Sequence, residues 1–222
     1  MPPSARLRSR RCVALVCSAA LLLAACHKST KTASSTTGTP STDAKGNINV
    51  TLGLKIGKLK VEAAGPPRPF NLKLGADILV IVNHYVQAAM SAPLLAGKPS
   101  AGLAQYFAPS LASRVGVKGK DRPALTDEKE PVLTDVGKII RQPLNLVALQ
   151  NHGTTVMIGG QFALGVQGDT DQGPFSVSRV GNFIFEPDAH HRWHISGYTI
   201  VVRRINGSTT TTTKATTTTA AK

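Results

Sequence analysis

The sequence predicts an α+β domain in which a curved antiparallel meander packs around one main helix. Three observations predict it. An apolar stripe of helical period runs over residues 75–92, and four segments of period-two alternation follow in close succession between residues 138 and 204. Glycines at 159, 160, 165, 181 and 197 fall inside those alternating segments, where they permit a sheet to bend strongly around a helix. The chain has 222 residues. Roughly 160 of them lie between two Ser/Thr-rich ends, a length suited to one domain.

In chain order, residues 1–25 read as a secretory signal. Arg6, Arg8, Arg10 and Arg11 make a positive start, an apolar run from Val13 to Ala25 follows, and small residues close it. That run, about 13 residues, is well short of the ~20 that span a bilayer. Its end, Leu23-Ala24-Ala25-Cys26, resembles the bacterial lipobox. The resemblance implies cleavage before Cys26, a diacylglyceryl thioether on its sulfur, and a domain held outside the cytoplasm on the bacterial cell membrane by a lipid anchor. The alternative for the same residues is an ordinary cleavage site that leaves Cys26 a free thiol. Ser9-Arg10-Arg11, with Val13 and Leu15 behind it, also resembles the core of a twin-arginine export signal, which would mean folding before export. The chain has three cysteines. Cys12 and Cys17 leave with the signal and Cys26 carries lipid, so the domain has no disulfide, thiol nucleophile or thiolate metal site to draw on.

Residues 26–46 are rich in Ser, Thr, Lys and Gly and nearly free of large apolar side chains, which predicts a disordered tether. The same composition predicts a disordered, Thr-rich tail over 206–222, a type of segment that can be O-glycosylated. The domain is then bounded at 47–205. It opens on a strand-like segment, Ile48 to Ile56, whose parity shifts at Leu59, Val61 and Ala63. A bulge or tight turn near Gly57 is expected, and Gly65-Pro66-Pro67-Arg68-Pro69 ends the strand. The main helix carries Ile78, Ile81, Val82, Tyr85, Val86 and Ala89 on one stripe, widened by Leu79 and Val80, and Pro93 is expected to end it. A short helix over 101–107 closes at Pro109. Residues 114–134 are polar, charge-dense and punctuated by Gly and Pro, the pattern of a mobile surface loop. The strands that follow are 138–150, with Pro143 marking an edge or bulge, then 155–167, 174–186 and 192–204. Asn151-His152-Gly153 supplies a tight connection between the first two.

The helix-then-meander order and the closing hairpin at 181–204 resemble the NTF2-like (cystatin-like α+β) superfamily. Phe183, Phe185, Trp193, Ile195, Tyr198 and Val201 stand where those proteins place an aromatic-rich closing hairpin. The resemblance covers about residues 75–204 and implies a cone whose mouth can take a small apolar molecule. That fold hosts isomerases, dehydratases, binding domains and interaction modules alike, so it does not fix a function. The early strand segment, and a loop where a further helix is usual, depart from its pattern.

Catalysis in such a cone needs an inward Asp–His or Asp–Tyr pair, with the acid's pKa raised by apolar surroundings. Asp77 and His84 lie seven residues apart on one face of the main helix, and Tyr85 stands beside His84 on the apolar stripe. The other acids fall in loops. Arg179, Asn182 and Tyr198 are polar groups within otherwise apolar strands. They either line a pocket or sit on the solvated face of the sheet, and the second placement is the expected one. His190, His191 and His194 form a dense histidine cluster without a carboxylate or cysteine at metal-ligand spacing, and the loop Gly168–Gly173 lacks the later bidentate Glu of a calcium loop. No catalytic residue, metal or cofactor is therefore assigned.

The formal net charge is +14, and removing the four signal arginines leaves 22 basic residues against 12 acidic ones. These charges are scattered and few aromatics accompany them, which argues against a nucleic-acid partner. Anionic lipid or acidic wall polymer is the partner such a field attracts outside the cell. The expectation is a lipid-anchored envelope protein whose non-enzymatic domain binds another envelope protein or a small apolar ligand. The rival expectation is a small extracytoplasmic enzyme using Asp77, His84 or Tyr198.

Overall fold

A computed structural model of the chain describes residues 41–42, 48–49 and 51–217. The signal segment, the lipobox with Cys26, most of the tether and residues 218–222 lie outside the described residues. Within the stretch expected to be a disordered tether, Ser41–Thr42 pairs antiparallel with Ile48–Asn49.

The domain is α+β, with a six-stranded mixed sheet and one main helix. The strands are β1 (Ile56–Ala64), β2 (Leu133–Asn151), β3 (Thr154–Thr170), β4 (Gly173–Pro187), β5 (Trp193–Asn206) and β6 (Thr209–Thr216), adjacent in that order. The four pairings from β2 to β6 are antiparallel, as a meander requires. β1 pairs with β2 in parallel, so the sheet is not wholly antiparallel as expected. The cause is the connection: a chain that leaves one strand, crosses by a helix and rejoins the same sheet returns in the parallel sense.

β6 is a second departure. The threonine run expected to be a disordered tail forms a strand along β5, from Asn206 opposite Thr209 to Thr199 opposite Thr216. Gly207 takes a left-handed φ of 56° and turns the chain back. Each threonine is β-branched and favours the extended backbone. Low complexity therefore hid a good strand sequence once a neighbouring edge was available.

The main helix α1 (Leu72–Val86) starts at Asn71, whose side chain accepts the N–H of Lys73. It continues through a wide π turn, Gln87–Ser91, into α2 (Ala92–Ala96), and ends at Gly97 in the left-handed region. Pro93 thus sits within the helical run instead of ending it. Having no N–H, it cannot serve the carbonyl of Ala89 four residues back. That carbonyl accepts the N–H of Asp127 at 2.8 Å, which ties a distant segment to the helix. The stretch Leu72–Ala96 is long and apolar enough to cross a membrane by length and composition, but 56% of its most apolar window is buried inside the domain. It is the core helix. Ile78, Val82, Tyr85, Val86, Ala89 and Met90 face the sheet, whereas Val80 is half exposed and belongs to the outer side.

Other local expectations hold. The register slips between Ile56 and Leu59, at the parity shift around Gly57, and between Gln142 and Asn145, at Pro143. His152 and Gly153 both have positive φ, 47° and 78°, as a tight two-residue hairpin turn needs. A Cβ on Gly181 would stand 2.4 Å from the Phe162 ring, so glycine is what lets that ring lie on β4.

Residues 114–134 are not a mobile surface loop. They contain α4 (Arg122–Leu125) and run on from α3 (Ala112–Val115), and Arg122, Ala124, Leu125, Thr126 and Asp127 are buried. The segment's charges are the reason, because they pair inward.

Candidate functional site

Strand alternation decides which side chains enter the helix-facing side of the sheet. On β4, Phe175, Val177, Arg179, Phe183 and Phe185 share one parity and are all buried. On β5 the buried parity is Tyr198, Ile200, Val202 and Arg204. Arg179 stands opposite Val202, and Val177 opposite Arg204. The two arginines are therefore diagonal neighbours on the inner face. The structure thus overturns the expected solvated position of Arg179 and Tyr198, which are 0% and 2% exposed. Asn182, one residue out of phase, is exposed on the outer face as expected.

Two buried guanidiniums require an anion, and Asp127 supplies it. Its carboxylate is fully buried: Oδ2 accepts from Arg179 Nη2 at 2.9 Å, and Oδ1 accepts from Arg204 Nη2 at 2.6 Å and Nε at 3.0 Å. Arg179 Nη1 also donates to Tyr85 Oη and to the carbonyl of Ala124, both at 2.8 Å. The Tyr85 hydroxyl donates to the carbonyl of Leu125 at 3.0 Å. Arg204 Nη2 reaches the carbonyls of Thr126 and Pro123, and its Nη1 donates to Thr213 Oγ1 at 3.0 Å. Glu130 Oε1 lies 3.0 Å from Arg204 Nε. Two cations and two anions thus form one cluster, joined from α1, the 122–130 segment and strands β4, β5 and β6.

Burial pushes the Tyr85 phenol above its usual range, an effect that Arg179 only partly opposes. Burial opposes the charge on Arg179, but Asp127 and Tyr85 outweigh it and hold the guanidinium more firmly protonated than usual. Beside the cluster, Arg122 grips Glu128 with two bonds, 2.6 and 2.7 Å, and lowers its pKa. Asp121 accepts from Arg114 Nε at 2.6 Å and from the Tyr198 hydroxyl at 2.7 Å. Burial works against the Asp121 charge, yet these two bonds prevail and its pKa falls. Burial, then the bond to Asp121, push the Tyr198 phenol up.

Glu130 behaves oppositely. Burial raises its pKa above the ordinary 4.5, more than Arg204 lowers it. Between that value and the raised one, the folded state holds a proton that the unfolded state gives up, so stability contributed by Glu130 falls as pH rises through the window. Glu130→Gln is expected to melt no lower than the wild type near pH 7, with the two curves converging as pH drops toward 4.5. Melting temperatures measured across that pH range check the sign. Glu128 and Asp121, with lowered values, stabilise above about pH 4 and lose that contribution in acid.

Below the cluster the helix-facing side of the sheet is packed with aromatic rings. Tyr85 packs edge-on to Phe183 at 5.0 Å, Phe162 lies 5.3 Å from Phe183, and Phe107 lies 5.6 Å from Tyr198. Open space begins on the other side of Arg204, at the corner where the 117–130 segment faces the β5–β6 hairpin. There a groove of about 680 Å³ is lined by Lys118, Lys129, Glu130, Arg204 and the inward threonines Thr209, Thr211 and Thr213.

The helix candidates do not meet this site. Asp77 is exposed and pairs with Lys73 at 3.2 Å. His84 is exposed, lies 5.7 Å from the Tyr106 ring, and lines a shallow cup of about 410 Å³ with Ala88, Ala92 and Lys98. Arg179 and Tyr198 come close through the 121–127 segment, whereas Asn182 does not. Of the histidine cluster, His194 Nε2 lies 3.3 Å from Asp188, whose carboxylate also accepts the N–H groups of Arg192 and His190 and is held well below the usual carboxylate range. Among the described residues, no group of three or more His, Cys, Asp or Glu side chains is placed to hold a metal ion. Sequence reasoning missed Asp127, Glu130 and Arg204. The available signal was Arg179 and Arg204 standing in core parity, which demanded a buried acid from elsewhere.

A scan of protein-family models found no matching family, and searches of curated proteins and of solved structures found no match to this chain.

Proposed function

We propose that this chain is a lipid-anchored protein of the bacterial cell envelope, tethered through Cys26, whose domain is a non-enzymatic binding module of the NTF2-like cone kind. The observation that carries the reading is how the helix-facing side of the sheet is occupied. The space where a cone enzyme holds substrate is taken by the chain's own aromatic rings. The charged groups at its rim are spent on one another, with Asp127 answering both buried arginines. Both oxygens of that carboxylate already accept from guanidinium N–H groups and neither is turned toward open space. The corner groove of about 680 Å³, deeper than the shallow cup beside His84, is the candidate binding site in this reading. The anchor rests on the charged start, the apolar run and Leu23-Ala24-Ala25-Cys26. The cone class rests on a long helix against a meander, with the parallel β1 and the added β6 as departures.

The test uses the full-length protein in detergent. Thr211→Trp places an indole in the groove and is expected to abolish any ligand-induced rise in melting temperature seen with the wild type. Cys26→Ser is expected to remove the acyl mass and release the domain from the membrane fraction. Turnover of a substrate that is lost on changing Asp77 or His84 would overturn the non-enzymatic reading.

A further inference from the structure

We infer that the corner groove recognises a phosphorylated polyol, the chemistry of a glycerol phosphate or sugar phosphate unit. The inference rests on the reading of the groove as the binding site and gives that site its ligand class.

Charge comes first. The groove's two arginines are already committed: Arg122 to Glu128, and Arg204 to Asp127 and Glu130. Those groups roughly cancel. Lys118 and Lys129 remain, both exposed on the lining, and neither makes an ion pair among the described residues. The field offered to a ligand is therefore that of two ammonium groups. A planar carboxylate is best held by the fork of an arginine, and among the described residues of the lining no fork is free. Two compact point charges suit a phosphate instead.

The hydroxyl wall comes second. Alternation along β6 sets Thr209, Thr211 and Thr213 on one face, successive side chains about 7 Å apart. The hydroxyls of Thr209 and Thr211 make no hydrogen bond within the described residues, and Thr213 accepts from Arg204 while keeping its own proton to donate. Asn206 adds an amide at the end of the row. Hydroxyls both donate and accept, which matches the hydroxyls of a polyol. Among the described residues the lining carries no aromatic side chain, so a nucleobase or the apolar face of a ring sugar has nothing to stack on. At about 680 Å³ the groove has the size of a small-molecule site.

Calorimetric titration of the full-length protein in detergent tests this, using sn-glycerol 3-phosphate, inorganic phosphate, glycerol and glucuronate. Binding of glycerol 3-phosphate is expected, more than glycerol or glucuronate and weakening as salt rises. The double variant Lys118→Gln/Lys129→Gln should lose about tenfold or more in affinity with an unchanged melting temperature, since both side chains are exposed. Thr211→Val should lose several-fold. To separate sources, the Cys26→Ser chain is sedimented with vesicles of phosphatidylglycerol or of phosphatidylcholine. Selective sedimentation with the former assigns the unit to a lipid headgroup, and binding of the soluble phosphate alone assigns it to a free or polymeric source. No binding of either form at millimolar concentration overturns the inference, as does binding that the lysine double variant leaves intact. If glycerol or glucuronate binds in its place and Thr211→Trp abolishes that binding, the phosphate inference fails while the groove stands as the site. If Thr211→Trp leaves it intact, both fail.

Discussion

Asp127→Asn is expected to lower the melting temperature by about 6–20 °C, the largest effect of any single polar substitution in this domain. The carboxylate is fully buried and holds two guanidiniums, those of Arg179 and Arg204. An asparagine keeps the shape but leaves two positive charges facing each other with Glu130 as the one remaining anion. Breaking a buried pair by removing one partner costs roughly 3–5 kcal/mol. At about 2–4 °C per kcal/mol for a domain of this size, that is a shift of about 6–20 °C. The partner substitution discriminates. In an Asp127→Asn/Arg179→Gln double variant one of the two orphaned charges is gone and Arg204 keeps Glu130, so the combined loss should be smaller than the sum of the single losses. Thermal melts of the four proteins check the cycle, and an Asp127→Asn melt within 2 °C of wild type would show that the cluster is not holding the fold.

Ending the chain after Asn206 is expected to be nearly as damaging. The lost residues would cost little in a disordered tail. In this fold they form β6, which pairs with β5 over its whole length and supplies Thr213 to Arg204. They also carry Ala215, which packs in the core, and Thr217, whose backbone and side chain bond Tyr198. Removing them bares one edge of β5 and opens Arg204 to water. Hydrogen bonds contribute about 0.5–1.5 kcal/mol each, offset in part by the backbone freedom regained. A net loss of about 3 kcal/mol is expected, read as an earlier midpoint in urea unfolding. A truncated chain with an unchanged midpoint would return the threonine run to the role of a tail.

These two predictions also mark what the sequence could and could not disclose. Alternation along β3, β4 and β5, the stripe on α1, the slip near Gly57 and the bulge at Pro143 were legible because each is a local pattern between neighbours. Arg179 and Tyr198 were legible in position, through their parity with Val177 and Ile200, but polarity argued for the solvated face. What puts them inside is a partner more than 50 residues away in the chain, and no local period reports that. The 114–134 segment was misread for the same reason. Its Gly, Pro and charges look like a loop until Asp127 is seen to be the counter-ion of a buried pair. The threonine run was hidden by composition, since low complexity resembles a linker while β-branching favours a strand. The parallel sense of β1 was foreseeable from its helical crossover to β2.

The most direct measurement is amide hydrogen exchange on the full-length protein in detergent, followed residue by residue over Thr209–Thr216, with and without glycerol 3-phosphate. The account predicts slow exchange at the alternate amides that face β5, comparable to the protection of β5 itself, and further slowing when the ligand is present. Exchange throughout that stretch at the rate of an unstructured peptide would contradict it, because the groove would then have no wall.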